Sequence, residues 1–133
     1  MINDKIAQSL IKILIQKGGF TLDVVNGNLE EVGYAIAVHG REQVVDPFKS
    51  IPARAEELLT YVNDNIEFLT TKGYYLGAWW DLENDQYVYD VVMVTQDQYT
   101  AQKFSETNCQ KYYFNLGTGQ LISTYPDPIT KLQ

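Results

Sequence analysis

Between Trp79 and Asp90 the chain gathers most of the side chains that could do chemistry: Trp79-Trp80-Asp81, then Glu83, Asp85 and Asp90. Carboxylates beside indole rings suit three kinds of work. They can hold a cationic partner, the acids supplying the field and an exposed ring the central contact. Two of them, Asp81 and Asp90, form a pair of the type that acts on glycosidic bonds, with aromatic rings to stack on sugars. The alternation Asp81, Glu83, Asp85 resembles the opening of a calcium loop. It lacks the glycine of the sharp turn, and position twelve is Val92 instead of the closing glutamate. The expected reading of 81–86 is a solvated acidic hairpin tip, with no metal and no cofactor.

Other chemistry has fewer residues to draw on. The chain holds one histidine, His39, and one cysteine, Cys109. Structural zinc takes about four such ligands, so one chain cannot build the site. His39 and Cys109 are formally a nucleophilic pair, but a lone cysteine is ordinarily a small buried hydrophobe and no family signature surrounds this one. There is no Gly-x-Ser-x-Gly elbow. Gly117-Thr118-Gly119 lacks the third glycine of a dinucleotide loop and opens no helix, so it reads as a turn.

Asp90 stands apart from the other acids. It lies inside the apolar run Tyr87–Val94, on the same strand face as Val88, Val92 and Val94. If that face is buried, the carboxylate needs hydrogen bonds or a cation, and Lys111 or Arg54 are the expected partners. Strand alternation also separates the two tryptophans: Trp80 shares a face with Tyr74, Leu76 and Ala78, and Trp79 shares the other with Tyr75 and Gly77.

The net charge of −7 is concentrated rather than spread. Residues 1–54 hold six acids and six bases, whereas 55–102 hold nine acids and only Lys72. With a pI near 4.5, direct binding to nucleic acid or to an anionic membrane is not expected, because phosphate neutralisation needs clustered Lys and Arg. A single cysteine permits no internal disulfide, which fits a reducing cytoplasm. The segment from Met1 to Gly19 lacks the basic leader of a signal peptide, and no apolar run reaches the roughly 18 residues of a membrane span.

The elements that must position these groups follow from periodicity and punctuation. Ile6, Leu10, Ile13 and Leu14 predict a helix over 4–17, begun by Asn3 or Asp4 and ended by Gly18-Gly19. Ile11 and Ile15 widen its apolar stripe, which packs in the core or meets a second copy. Phe20–Val25 and Tyr34–His39 are predicted strands around an Asn26-Gly27 turn, with a short third strand at Glu42–Val45. Ser50 caps a helix carrying Leu58, Leu59, Val62, Ile66 and Leu69, stopped by Gly73. Tyr74–Trp80 and Tyr87–Val94 form the clearest strand pair. Asp97 caps a helix over 98–107, Lys111–Leu116 and Gln120–Ser123 are strands, and 124–133 is an irregular tail containing Pro126 and Pro128. The order α-β-β-β-α-β-β-α-β predicts a single α+β domain over 1–133: three helices on one face of a mainly antiparallel sheet of five to six strands.

Gly18-Gly19-Phe20-Thr21-Leu22-Asp23, Gly33-Tyr34-Ala35-Ile36-Ala37-Val38, Leu76-Gly77-Ala78-Trp79 and Tyr89-Asp90-Val91-Val92 together resemble a group of small uncharacterised bacterial proteins, some carried by phages and other mobile elements. The resemblance covers most of residues 18–122. It rests on strand and turn residues, so it carries over no catalytic residue. It implies a bacterial or phage origin and a role in conflict between host and mobile DNA.

The expected function is that of an acidic, cytoplasmic, non-catalytic protein-interaction module. It would grip a basic protein surface through Asp81, Glu83, Asp85, Trp79 and Trp80, and in its sharper form would be an anti-defence protein imitating nucleic-acid charge. One alternative is a small-ligand binder or enzyme built on Asp90 and the neighbouring aromatics. Another is a homo-oligomer joined through residues 4–17.

Overall fold

A computed structural model describes residues 2–125. Its elements are α1 (Asp4–Lys17), β1 (Gly19–Leu22), β2 (Tyr34–Ala37), β3 (Gln43–Val45), α2 (Ile51–Asp64), α3 (Ile66–Leu69), β4 (Tyr74–Asp81), β5 (Gln86–Thr95), α4 (Gln98–Thr107), β6 (Tyr112–Asn115) and β7 (Gln120–Ser123). All strand pairs are antiparallel, in the order β1-β4-β5-β2-β6-β7, with β3 also on β5. The α+β class with a mainly antiparallel sheet is as expected; all seven segments read as strands join the sheet, where a total of five to six was expected, and the short α3 is additional. Among the described residues no helix is long and apolar enough to cross a membrane.

The helix boundaries follow from their caps. The Asn3 side chain accepts from the Ile6 amide at 2.9 Å, and Gly18 closes α1 at φ +83°, where a side chain would be strained. Ser50 and Asp97 likewise accept from the Ala53 and Thr100 amides. Asp97 is held below the usual carboxylate range by the Thr100 side-chain and backbone bonds. The apolar stripe expected to run on to Leu69 is broken at Asn65. Its side chain bonds back to the Tyr61 carbonyl, and the last turn is a separate α3.

Alternation along β4 and β5 divides the sheet into two unlike faces. Leu76, Ala78, Tyr89 and Val91 point toward α1 and α2 and join Leu10, Ile11, Leu14, Leu58 and Val62 in the main core. A smaller cluster under α4 holds Ile36, Ala101 and Tyr113. Burial pushes the hydroxyls of Tyr61 and Tyr89 well above their ordinary range, and both donate to backbone carbonyls of Arg41 and Arg54. The stripe of α1 is taken up by this core. Ile11 is fully buried and Ile13 half-buried, whereas Ile6 and Ile15 remain exposed.

Two further expectations change. Asn26-Gly27 does turn the chain, with Gly27 donating to Asp23 and Leu22 bridging Leu29. The turn returns to β1 itself and not to β2, because β2 lies between β5 and β6. The tail expected at 124–133 is described only at Thr124 and Tyr125. There Thr124 is buried, with its hydroxyl 2.6 Å from that of Ser105; the remainder lies outside the described residues.

Candidate functional site

A groove of ≈ 1170 Å³ runs over the helix-free face of the sheet and extends to Ile13 and Lys17 of α1 and to Trp80. Its floor is the row Thr21–Gly77–Asp90 across β1, β4 and β5, set by the register Thr21↔Gly77 and Gly77↔Asp90. Beyond Asp90 the row stops. β2 pairs with β5 only as far as Ala37↔Val92, and β3 begins at Gln43↔Tyr89, so the chain between them leaves the sheet as it passes Asp90. Asp90 thus has a glycine on one side and a gap in the ladder on the other. Trp79 stands at one end of the groove, and Tyr112, Phe114 and Leu121 of the β6–β7 hairpin stand at the other.

Asp90 is 4% exposed and has no cation within ion-pair distance among the described residues. Neither expected partner reaches it. The Arg54 guanidinium is on the opposite face, over the Tyr87 ring and bonded to the Lys49 carbonyl. Lys111 lines the groove without pairing. Instead the Trp79 indole Nε1–H donates to Asp90 Oδ2 at 3.1 Å, and Oδ1 is buried with no partner. Gly77 is what makes room for the carboxyl: a Cβ there would collide with Oδ1 and crowd Val92 Cγ1 at 3.1 Å. Burial drives the Asp90 pKa up to about 7; the Trp79 bond opposes the shift, and Glu42 adds to it. Glu42 acts from the place where one more step of the β3–β5 register would set it opposite Asp90.

The structure separates the residues expected to act together. Trp79 is on the groove face, 43% exposed. Trp80 is on the other face, edge-on to Tyr87 with centroids 4.7 Å apart. Asp81 and Glu83 line the groove, whereas Asp85 does not; it turns the hairpin at φ +50°. Asp81 accepts from Asn84 and Gln86. Among the described residues no three His, Cys, Asp or Glu side chains converge on a metal position. As a glycosidase pair Asp81 and Asp90 are badly placed: Asp81 is four residues, about 13 Å, along β4 from the partner of Asp90. An inverting pair stands about 6.5–9.5 Å apart. His39 and Cys109 come to the same corner, where the His39 amide donates to the Asn108 side chain, but no hydrogen bond joins imidazole to thiol.

Sequence reasoning missed Glu30, Glu31 and Glu42, which join Asp81, Glu83 and Asp90 around the groove; among the described residues Lys17 and Lys111 are the cations there. Glu30 and Glu31 belong to the charge-balanced first part of the chain. Their only sequence signal is adjacency, which does not tell which strand they overhang. Glu30 arrives because its amide donates to the Thr21 carbonyl. Comparison with known protein families, with characterised proteins and with solved structures finds no match to this chain.

Proposed function

We propose that the chain is a non-catalytic binding module whose helix-free sheet face takes a basic polypeptide segment. The carrying observation is the lining of the groove: among the described residues, six acidic side chains against two lysines, with the rings of Trp79, Tyr112 and Phe114 beside them. Such a concave field of one sign concentrates cations and repels phosphate. The aromatic ends at Trp79 and at Tyr112–Phe114 supply contact area of the kind that dominates interfaces. This moves the expected binding surface from the hairpin tip to the groove, retaining Trp79, Asp81 and Glu83. An anti-defence role remains one form of this reading; the basic segment would then be the nucleic-acid-binding surface of a host protein.

A second reading, Asp90 as general acid or base, draws support from a pKa near 7 beside a cavity. It lacks a second group: among the described residues the one side chain bonded to Asp90 is an indole, which takes no part in proton transfer. The binding reading is therefore preferred.

The test is amide chemical-shift mapping with acetylated, amidated hexalysine, and hexaglutamate as control, at low and high salt. Salt-sensitive shifts at Gly77, Trp79, Val92 and Tyr112 are expected. Shifts confined to 82–85 would return the site to the hairpin tip, and equal shifts with hexaglutamate would end the reading.

A further inference from the structure

We propose that Asp90, beneath the indole of Trp79, is the anchor point for one primary ammonium group, a single lysine side chain of the bound segment. The inference rests on the groove being the binding face and names what reaches its floor. Oδ1 of Asp90 is buried without a hydrogen bond, a state native proteins seldom leave unexplained. A Cβ on Gly77 would meet this oxygen and Val92 Cγ1 together, so Oδ1 sits close over the Gly77 backbone.

Thr21, Val88 and Val92 on the strand face around the carboxyl are buried, whereas Trp79 on that face is 43% exposed. A ligand reaches Oδ1 past the indole, whose one hydrogen bond there is the 3.1 Å contact to Oδ2. The ring then offers its face to the incoming cation, and a desolvated cation over an indole is strongly favoured. An approaching positive charge also finds Glu42 behind Asp90 and the acids of the rim, so the field strengthens along the path.

The geometry selects ammonium over guanidinium. With Nε1–H of Trp79 on Oδ2, Oδ1 is the carboxylate oxygen wholly without a partner. A compact ammonium is satisfied by a single oxygen and an aromatic face. The planar fork of an arginine is best matched by both oxygens of one carboxylate, and here the indole competes for one of the two.

The test uses the full chain carrying Trp80→Phe, which leaves Trp79 as the only tryptophan and replaces one ring by another beside Tyr87. Its emission is followed while acetylated, amidated hexalysine or hexaarginine is added, and again with n-butylammonium. A shift of Trp79 emission with hexalysine and n-butylammonium, and a smaller one with hexaarginine, is expected. Asp90→Asn in the same background should weaken the hexalysine response about tenfold or more, the range spanned by charge-assisted hydrogen bonds. The asparagine still accepts from Trp79, and its melting curve checks that the variant is folded. Shifts of the groove amides without any change in Trp79 emission, a response that survives Asp90→Asn, or an equal response to hexaarginine would each overturn the anchor while leaving the groove as a binding face. Absence of any amide shift with hexalysine would remove both.

Discussion

The two faces of β4 and β5 are built from alternate residues of the same two strands, yet they solve different problems. Toward α1 and α2 the strands present Leu76, Ala78, Tyr89 and Val91, which close over with helical side chains into a dry core. On the other side they present Gly77, Trp79, Val88, Asp90 and Val92, which no helix covers. Burial there is nearly as complete at Val88, Asp90 and Val92. It is achieved by a tryptophan laid over a carboxyl group, with a glycine to admit it. The first face carries the stability of the fold. The second holds an unpaired carboxyl oxygen in the floor of an open groove, and that makes it the candidate for function.

Substitutions on the two faces should separate these roles. The largest loss is expected on the covered face: Leu58→Ala removes a fully buried side chain between α2 and the sheet and should cost about 2–5 kcal/mol in denaturant unfolding. A loss below about 1 kcal/mol would mean that the helix layer contributes little.

On the open face the sign reverses. The folded Asp90 carboxyl keeps its proton up to about pH 7, whereas in the unfolded chain it titrates near the ordinary value, about 4. The unfolded state therefore binds fewer protons between those values, and stability falls as pH rises through that window. The penalty is absent below about pH 4 and complete above about pH 7, with an upper bound of about 4 kcal/mol. Asp90→Asn should raise stability at pH 8 and leave it almost unchanged at pH 4. Thermal melts of both chains at the two pH values measure this, and equal differences at both would show that Asp90 does not titrate as a buried acid.

Gly77→Ala sharpens the comparison, since it is the small residue on which the open face depends. The added methyl would collide with Asp90 Oδ1, so the carboxyl must move and its bond to Trp79 must break. About 1–3 kcal/mol should be lost, together with a change in indole emission. Stability kept without that change would mean that the carboxyl has other room.

The smallest effect belongs to the hairpin tip. Asp81→Asn, Glu83→Gln and Asp85→Asn together should change stability by no more than about 0.5 kcal/mol, because none of the three is buried. They should weaken hexalysine binding through Asp81 and Glu83. Binding abolished by this triple variant and untouched by Asp90→Asn would return the site to the tip.

Much of the fold was legible locally. Asn3, Ser50 and Asp97 each announce a helix start, and a side chain that accepts from an amide three residues on needs nothing distant to do so. The hairpin of β4 and β5 and the opposite orientations of Trp79 and Trp80 follow from strand alternation alone. The break at Asn65 was not legible, since Leu58, Leu59, Val62, Ile66 and Leu69 keep helical spacing straight through it. Nor was the partner of Asp90, because a carboxylate in a strand looks the same whether the nearest donor is an arginine or an indole.

The sequence by itself determined the class of this protein: capped amphipathic helices, an antiparallel hairpin, an excess of acid in 55–102 and a tryptophan on each side of β4. Each of these is a property of neighbours within about one turn or one pleat. Only the tertiary structure decided that β2 and β3 leave a gap beside Asp90, that Glu30, Glu31 and Glu42 overhang the same face, and that Trp79 closes over the carboxyl group. Apart from Trp79 and Asp90, which share one hairpin, those juxtapositions join residues tens of positions apart, and they depend on the order in which strands enter the sheet. Local spacing does not encode that order; it is set by which faces can be buried together.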